Sequence, residues 1–170
     1  GLSMDPVTFD LRALVEAQPL ASDALRGSLV LLALMFGLAV KTPLVPVHTW
    51  LPAAHVEAPA PASALLAGVL LKMGTFGMIR IAHAPLRDAF ARHAAVIAIL
   101  AVVSIVYGAL VGLGQRHLKR RIAYTSITHM GYVVLGVAVA ASLAESHPAA
   151  ARLALGGAAL EMVAHGLITG

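Results

Sequence analysis

The uncharged run from Ala94 to Gly114, in HAAVIAILAVVSIVYGALVGLG, is the strongest constraint on this chain. As a helix rising 1.5 Å per residue it reaches across the roughly 30 Å hydrocarbon core of a bilayer. Such a run has no natural place on the surface of a soluble domain, the default expectation for 170 residues. Composition agrees. Hydrophobic residues make up 59% and charged residues 12% of the chain, against about 45–50% and 25% in globular proteins. Five apolar stretches of about 20 residues fill most of the length, which predicts an all-α membrane protein with five transmembrane helices. The net charge of +4 comes from 12 Lys and Arg over 8 acids. With so few charges and no soluble basic face, it is not a nucleic-acid signal.

Residues 1–26 form the most polar part, with Asp5, Asp10, Arg12, Glu16, Asp23 and Arg26, and read as an extramembrane loop with short helical pieces. Helix A is expected from about Leu29 to Lys41. Its opening lies near Ser28, and Pro43 and Pro46 break it over Lys41–Pro46. At about 13 residues, or about 20 Å, it is too short to span alone. A piece from His48 to about Val56 either completes the crossing or lies at the interface. Helices B to E are expected over about Ala62–Ala82, Ala94–Gly114, Ile122–Ala141 and from Ala149 to the end. The chain opens at Gly1 without a signal peptide and stops inside an apolar run, so it reads as a piece of a longer protein, truncated at both ends.

Sidedness rests on loop charge. Arg116, Lys119, Arg120 and Arg121 crowd the C–D connection, and short cationic loops stay cytoplasmic. Arg12, Arg26, Arg80, Arg87, Arg92 and Arg152 on the opposite side are spread among acids. The A–B and C–D turns are therefore placed in the cytoplasm.

Ionisable groups inside spans demand a reason, because a central Lys costs about 2.5–3.5 kcal/mol on insertion scales. Lys72 sits mid-helix in LLAGVLLKMGTFGMIR, too deep to snorkel. It reads as a protonatable site facing a hydrated interior, the plainer reading being a neutral, packed lysine. Lys41, at the break in AVKTPLVP, either caps its helix or marks a transport site at a discontinuous helix, where it needs a carboxylate partner absent nearby. His129, in IAYTSITHMGYVVLG, and His165, in EMVAHGLITG, are each structural histidines or proton carriers. Glu161 lies four residues before His165, on the same helical face. Glu57, in HVEAPAPAS, caps helix B or opens a proton path. His48 and His55 flank TWLPAA, with Pro52 between them disfavouring a shared metal. Gly68, Gly74 and Gly77 allow close helix packing, and Trp50 suits an interfacial anchor. Lys41, Lys72, His129 and His165 are expected in one membrane-parallel layer, with Glu57, Glu161 and His48 as accessory candidates.

No catalytic constellation accompanies these groups. The chain has no cysteine, Gly-rich phosphate loop, HExxH or Ser/His/Asp set, and no histidine pair suited to haem. No catalytic residue, cofactor or metal is expected in this chain.

The run AVKTPLVPVHTWLPAAHVEAPAPASALLAGVLLKMGTFGMIR resembles the signature of the antiporter-like subunits of respiratory complex I. Within them, AHVEAP and LLAGVLLKMGTFG are most similar to the chain M branch. HLKRRIAYTSITHMGYVVLG and MVAHGLITG follow in the family's order. The resemblance implies an antiporter-like bundle of about 14 transmembrane helices built on two inverted five-helix repeats, each with a broken helix. Residues 27–170 would form part of one such domain, the end of the first repeat and the start of the second. By resemblance, Lys41 is the broken-helix lysine that pairs with a glutamate two helices earlier, and Lys72 is the central-axis lysine. His129 and His165 link toward the second half, and Glu161 stands where the family usually has glutamine. The implied function is proton translocation in the plasma membrane of a bacterium, driven by NADH oxidation and quinone reduction elsewhere in an NADH-quinone oxidoreductase. Its partners would be other membrane subunits, antiporter-like siblings among them, together with lipid, protons and water. The alternatives are a sibling in a cation/proton antiporter or membrane-bound hydrogenase complex, or a scaffold whose buried charges only hold helices together.

Overall fold

The break after the first long helix organises the fold. The structure, a computed structural model, describes residues 8–169; Asp5 and the rest of residues 1–7, and Gly170, lie outside them. All regular elements among the described residues are helices. Helix α1 (Leu11–Ala17) is capped by the Asp10 side chain, which accepts from the Arg12 N–H at 2.9 Å. The Gln18 amide then donates to the Ala84 carbonyl at 2.9 Å, tying this segment to the end of helix B.

Helix α2 runs over Ala24–Lys41, not from Leu29. The Asp23 carboxylate accepts from the Arg26 N–H at 3.0 Å and pairs with its guanidinium at 3.2 Å, so the helix starts on the polar side of the expected boundary. Its 18 residues rise about 27 Å, which corrects the expectation of a half-length piece. The break itself falls as expected. Pro43 and Pro46 supply no backbone N–H, and the chain turns through residues 42–49 before α3 (Trp50–Glu57). Its polar groups find unusual partners. The Val45 N–H donates to the Ser104 hydroxyl at 3.0 Å, and the Trp50 indole donates to the Val40 carbonyl at 2.9 Å. Trp50 thus satisfies a carbonyl left open by the helix end.

Helix B, Ala60–His83, alternates in pitch. It comprises α4 (Ala60–Leu65), a π-helical segment Leu66–Leu70, α5 (Leu71–Gly77) and a second π-helical segment Met78–His83. Helices α6 (Arg87–Leu113), α7 (Leu118–Leu143) and α8 (Pro148–Thr169) complete the set. With α2 and helix B they make five helices long and apolar enough to cross a membrane.

Helix α7 is the most buried crossing. Its inner residues include Ala123, Ile127, Met130, Val134 and Val137, spaced three and four apart so that one face meets its neighbours. It packs between α6 and α8 through close backbone approaches. A Cβ on Gly108 of α6 would stand 2.6 Å from the Thr128 hydroxyl and 3.1 Å from the Thr128 backbone nitrogen. Outer faces carry exposed apolar side chains such as Leu110, Leu153 and Leu160, the inversion a bilayer requires.

Gly108→Leu is expected to lower the thermal stability of the detergent-solubilised full-length protein by about 1–3 kcal/mol, the usual cost of overpacking. Gly156→Ala is the control, because nothing lies within 4 Å of a Cβ there. Equal melting of the two variants would contradict the close α6–α7 approach.

A candidate proton-relay site

Helix periodicity brings the site together from three helices. Ser126 and His129 lie three apart on α7, Glu161 and His165 four apart on α8, so each pair shares a face. The Lys72 ammonium on α5 donates to the Ala67 carbonyl, inside the first π-helical segment, and to His165 Nδ1 at 2.5 Å. With Nδ1 accepting, the other ring nitrogen of His165 carries the proton and donates to the Ser126 hydroxyl at 3.2 Å. His165 is 2% exposed. The Thr169 hydroxyl donates to the His165 carbonyl at 2.6 Å.

His129 stands beside this pair, its ring centroid 5.1 Å from that of His165. Its Nδ1 donates to Glu161 Oε1 at 2.6 Å. Lys72, His165, His129 and Glu161 therefore form one compact cluster, with one gap to bridge between the two imidazoles. The Thr75 hydroxyl lies between α5 and α8, its single proton within reach of the Lys72 carbonyl at 3.1 Å or the Met162 sulfur at 2.8 Å. A groove of about 650 Å³ between helix B and α8 reaches Lys72 from outside.

The remaining sequence candidates lie elsewhere. Lys41 closes α2, exposed and without a hydrogen bond or ion pair among the described residues. It does not join the cluster. The longer α2 removes the depth estimate that had placed it level with Lys72. Glu57 is exposed at the end of α3, where Lys119 donates to the flanking Val56 and Ala58 carbonyls at 3.5 and 3.0 Å. His48 is buried at 4% exposure, edge-on to Tyr107 at 4.9 Å between centroids. His55 is also buried, and no group of three potential metal ligands occurs among the described residues.

Ser126 lies within the His129 segment of the sequence, and the three-residue spacing was enough to put both on one face. Sequence reasoning passed over Thr75, whose spacing from Lys72 is the same. The Ala67 carbonyl had no such signal, because it depends on the pitch of helix B.

A sequence model of the family described as "NADH:quinone oxidoreductase/Mrp antiporter, TM" matches residues 3–168. Among curated proteins, the chain is 48% identical over 165 residues to NAD(P)H-quinone oxidoreductase chain 4-2 of a Nostoc species, covering 96% of this chain and 29% of that one. It is 49% identical over 153 residues to a chain 4 of a Synechococcus species, covering 90% and 26%. Among solved structures, a chain of respiratory complex I from Thermus thermophilus with bound NADH superposes with a TM-score of 0.63 at 31% identity, covering 84% of this chain and 31% of that one. The chain spans less than a third of the length of the curated relatives it matches. With its helical architecture and membrane-length spans, the match over nearly its whole length places the chain in the NADH:quinone oxidoreductase/Mrp antiporter transmembrane family.

Proposed function

We propose that this chain belongs to a proton-translocating membrane subunit of an NADH-quinone oxidoreductase, and that Lys72, His165 and His129 carry protons laterally through it. The observation that carries this reading is the contiguous cluster itself. The Lys72 ammonium is already hydrogen-bonded to His165 Nδ1 at 2.5 Å. Transfer along that bond leaves a neutral amine and an imidazolium, which releases its other proton from the opposite nitrogen. Ser126 accepts on that side at 3.2 Å. A bridging water between the two imidazoles, 5.1 Å apart at their centroids, would pass the proton to His129, where the Glu161 carboxylate steadies the cation.

The energy source is proposed to lie outside the chain. NADH oxidation and quinone reduction are assigned to other subunits, with antiporter-like siblings and lipid as immediate neighbours. A bacterial plasma membrane is the proposed setting, as the cyanobacterial relatives suggest, with the A–B and C–D turns cytoplasmic. Lys41 is proposed to pair with a carboxylate on another segment of the parent protein. Glu57 and His48 are assigned accessory roles near the break. The family description also covers Mrp antiporters, but the relatives named above are NAD(P)H-quinone oxidoreductase chains.

The test is NADH-driven proton uptake by the full-length protein in its complex, reconstituted in vesicles. His165→Ala is expected to cut uptake by about tenfold or more, in line with the loss of a positioned proton carrier, while the complex still assembles. Undiminished uptake in an assembled variant would return the cluster to the role of helix glue.

A further inference from the structure

The helix ends opposite the C–D connection enclose a cavity that the relay does not use. It has a volume of about 620 Å³ and is lined by Arg80 and His83 at the end of helix B, Arg87 and Asp88 at the start of α6, Glu145 in the D–E connection and Arg152 on α8. That volume lies within the usual range for small-molecule sites. The geometry points to a binding site for the phosphodiester head of an anionic phospholipid.

Charge is the first reason. Three guanidiniums face two carboxylates around one cavity. Yet the ion pairs recorded among the described residues join Asp23 to Arg26 and His129 to Glu161. Among the described residues, Arg80, Arg87 and Arg152 therefore have no carboxylate within ion-pair distance, even with Asp88 and Glu145 on the same wall. The Arg152 Nε donates to the Pro148 carbonyl at 3.3 Å, which anchors the side chain and leaves its terminal nitrogens to another acceptor. Guanidinium forks match phosphate oxygens two at a time.

Open backbone donors add to the arginines. Helix α6 begins at Arg87 with no side-chain cap; the Arg87 N–H donates to Gln18 Oε1 at 3.4 Å, and the N–H groups of Asp88 and Ala89 have no partner recorded among the described residues. Helix α8 also begins here, at Pro148, while helix B and α7 end here, so the four helix dipoles largely offset one another.

Position selects a lipid over a free ion. Four membrane-length helices end or begin around the cavity, which sets it at headgroup level. Next in sequence to the lining residues Arg80 and Arg152, Ile81 on helix B and Leu153 on α8 are exposed apolar side chains, suited to contact with acyl chains. Basic pockets between transmembrane helices take anionic headgroups on the same principle.

The experiment uses the full-length protein in its complex, stripped of lipid in detergent and exposed to a photoactivatable phosphatidylglycerol. Cross-links are expected in peptides covering residues 79–92 and 144–155. Excess phosphatidylglycerol is expected to reduce them at least about fivefold, with phosphatidylcholine and inorganic phosphate far weaker. The combined variant Arg80→Gln, Arg87→Gln, Arg152→Gln is expected to lose labelling there by a similar factor and to keep it elsewhere. If that variant does not assemble, the competition on the native protein decides alone. Absence of labelling, equal competition by phosphatidylcholine, or equal competition by inorganic phosphate overturns the assignment. So does undiminished labelling of an assembled variant, or a carboxylate of another segment seated against the three arginines.

Discussion

Lys72→Ala in the full-length protein is expected to reduce proton translocation by about tenfold or more while leaving the complex assembled. The two halves of this expectation have separate causes. Transport fails because the variant removes the donor to His165 Nδ1 and with it the amine end of the relay. Assembly survives because deleting a central lysine makes membrane insertion easier, by about 2.5–3.5 kcal/mol on insertion scales. The packing of helix B also rests on other residues: Leu71, Gly74, Thr75, Gly77 and Met78 are all buried. Lys72→Arg should fall between the variant and the parent, keeping the charge beside His165 while losing the ability to deprotonate. The measurement is the proton-to-electron ratio in vesicles, beside a gel assay of the intact complex. Normal pumping by assembled Lys72→Ala would sink the relay.

Glu161→Ala is expected to lower both transport and stability. Glu161 is the recorded hydrogen-bond partner of His129 Nδ1, at 2.6 Å. Removing it leaves a half-exposed donor without its partner, at a cost of about 0.5–1.5 kcal/mol. It also removes the negative charge that would steady a protonated His129, so proton uptake should fall about tenfold. Glu161→Gln separates the two contributions. The amide oxygen can still accept from Nδ1, so stability should return, while transport stays reduced for want of the charge. If Glu161→Gln pumps as the parent does, the carboxylate serves only as a hydrogen-bond acceptor, and the proposed charge role is wrong.

Much of this architecture was legible in the residues, and what escaped did so for physical reasons. Long apolar runs located all five crossings, and Pro43 and Pro46 located the break. Helix starts were read too late. Arg26 lies in the first turn of α2, Arg87 and Asp88 in that of α6, and Lys119 to Arg121 in that of α7. Reading outward from the apolar core stops at such charges, but a helix continues into the interface wherever a cap such as Asp23 supports it. Within the site, Lys72, His129, Glu161 and His165 stood out because ionisable groups are costly in a span. Their mutual contact depended on how α5, α7 and α8 cross, which no periodicity within one helix encodes. Lys41 stood out for the same reason as Lys72, and its isolation follows from the full length of α2. Trp50 suggested an interfacial anchor from its residue type, while its partner, the Val40 carbonyl, is set by the fold of the break.

The changing pitch of helix B gives Lys72 a mechanical setting. An i→i+5 turn encloses one residue more than an α turn, and each α-helical residue advances about 100° around the axis. Each wide turn therefore rotates the face that follows it, so one rod can serve neighbours on different sides. Before Lys72, the Gly68 carbonyl lies 3.1 Å from a Cβ built on Gly166 of α8; after it, Gly77 stands against Leu38 of α2. The lysine thus sits between the turn that meets α8 and the turn that meets α2. The Ala67 carbonyl that it grips belongs to the first wide segment, so the pitch of helix B sets where the ammonium is held.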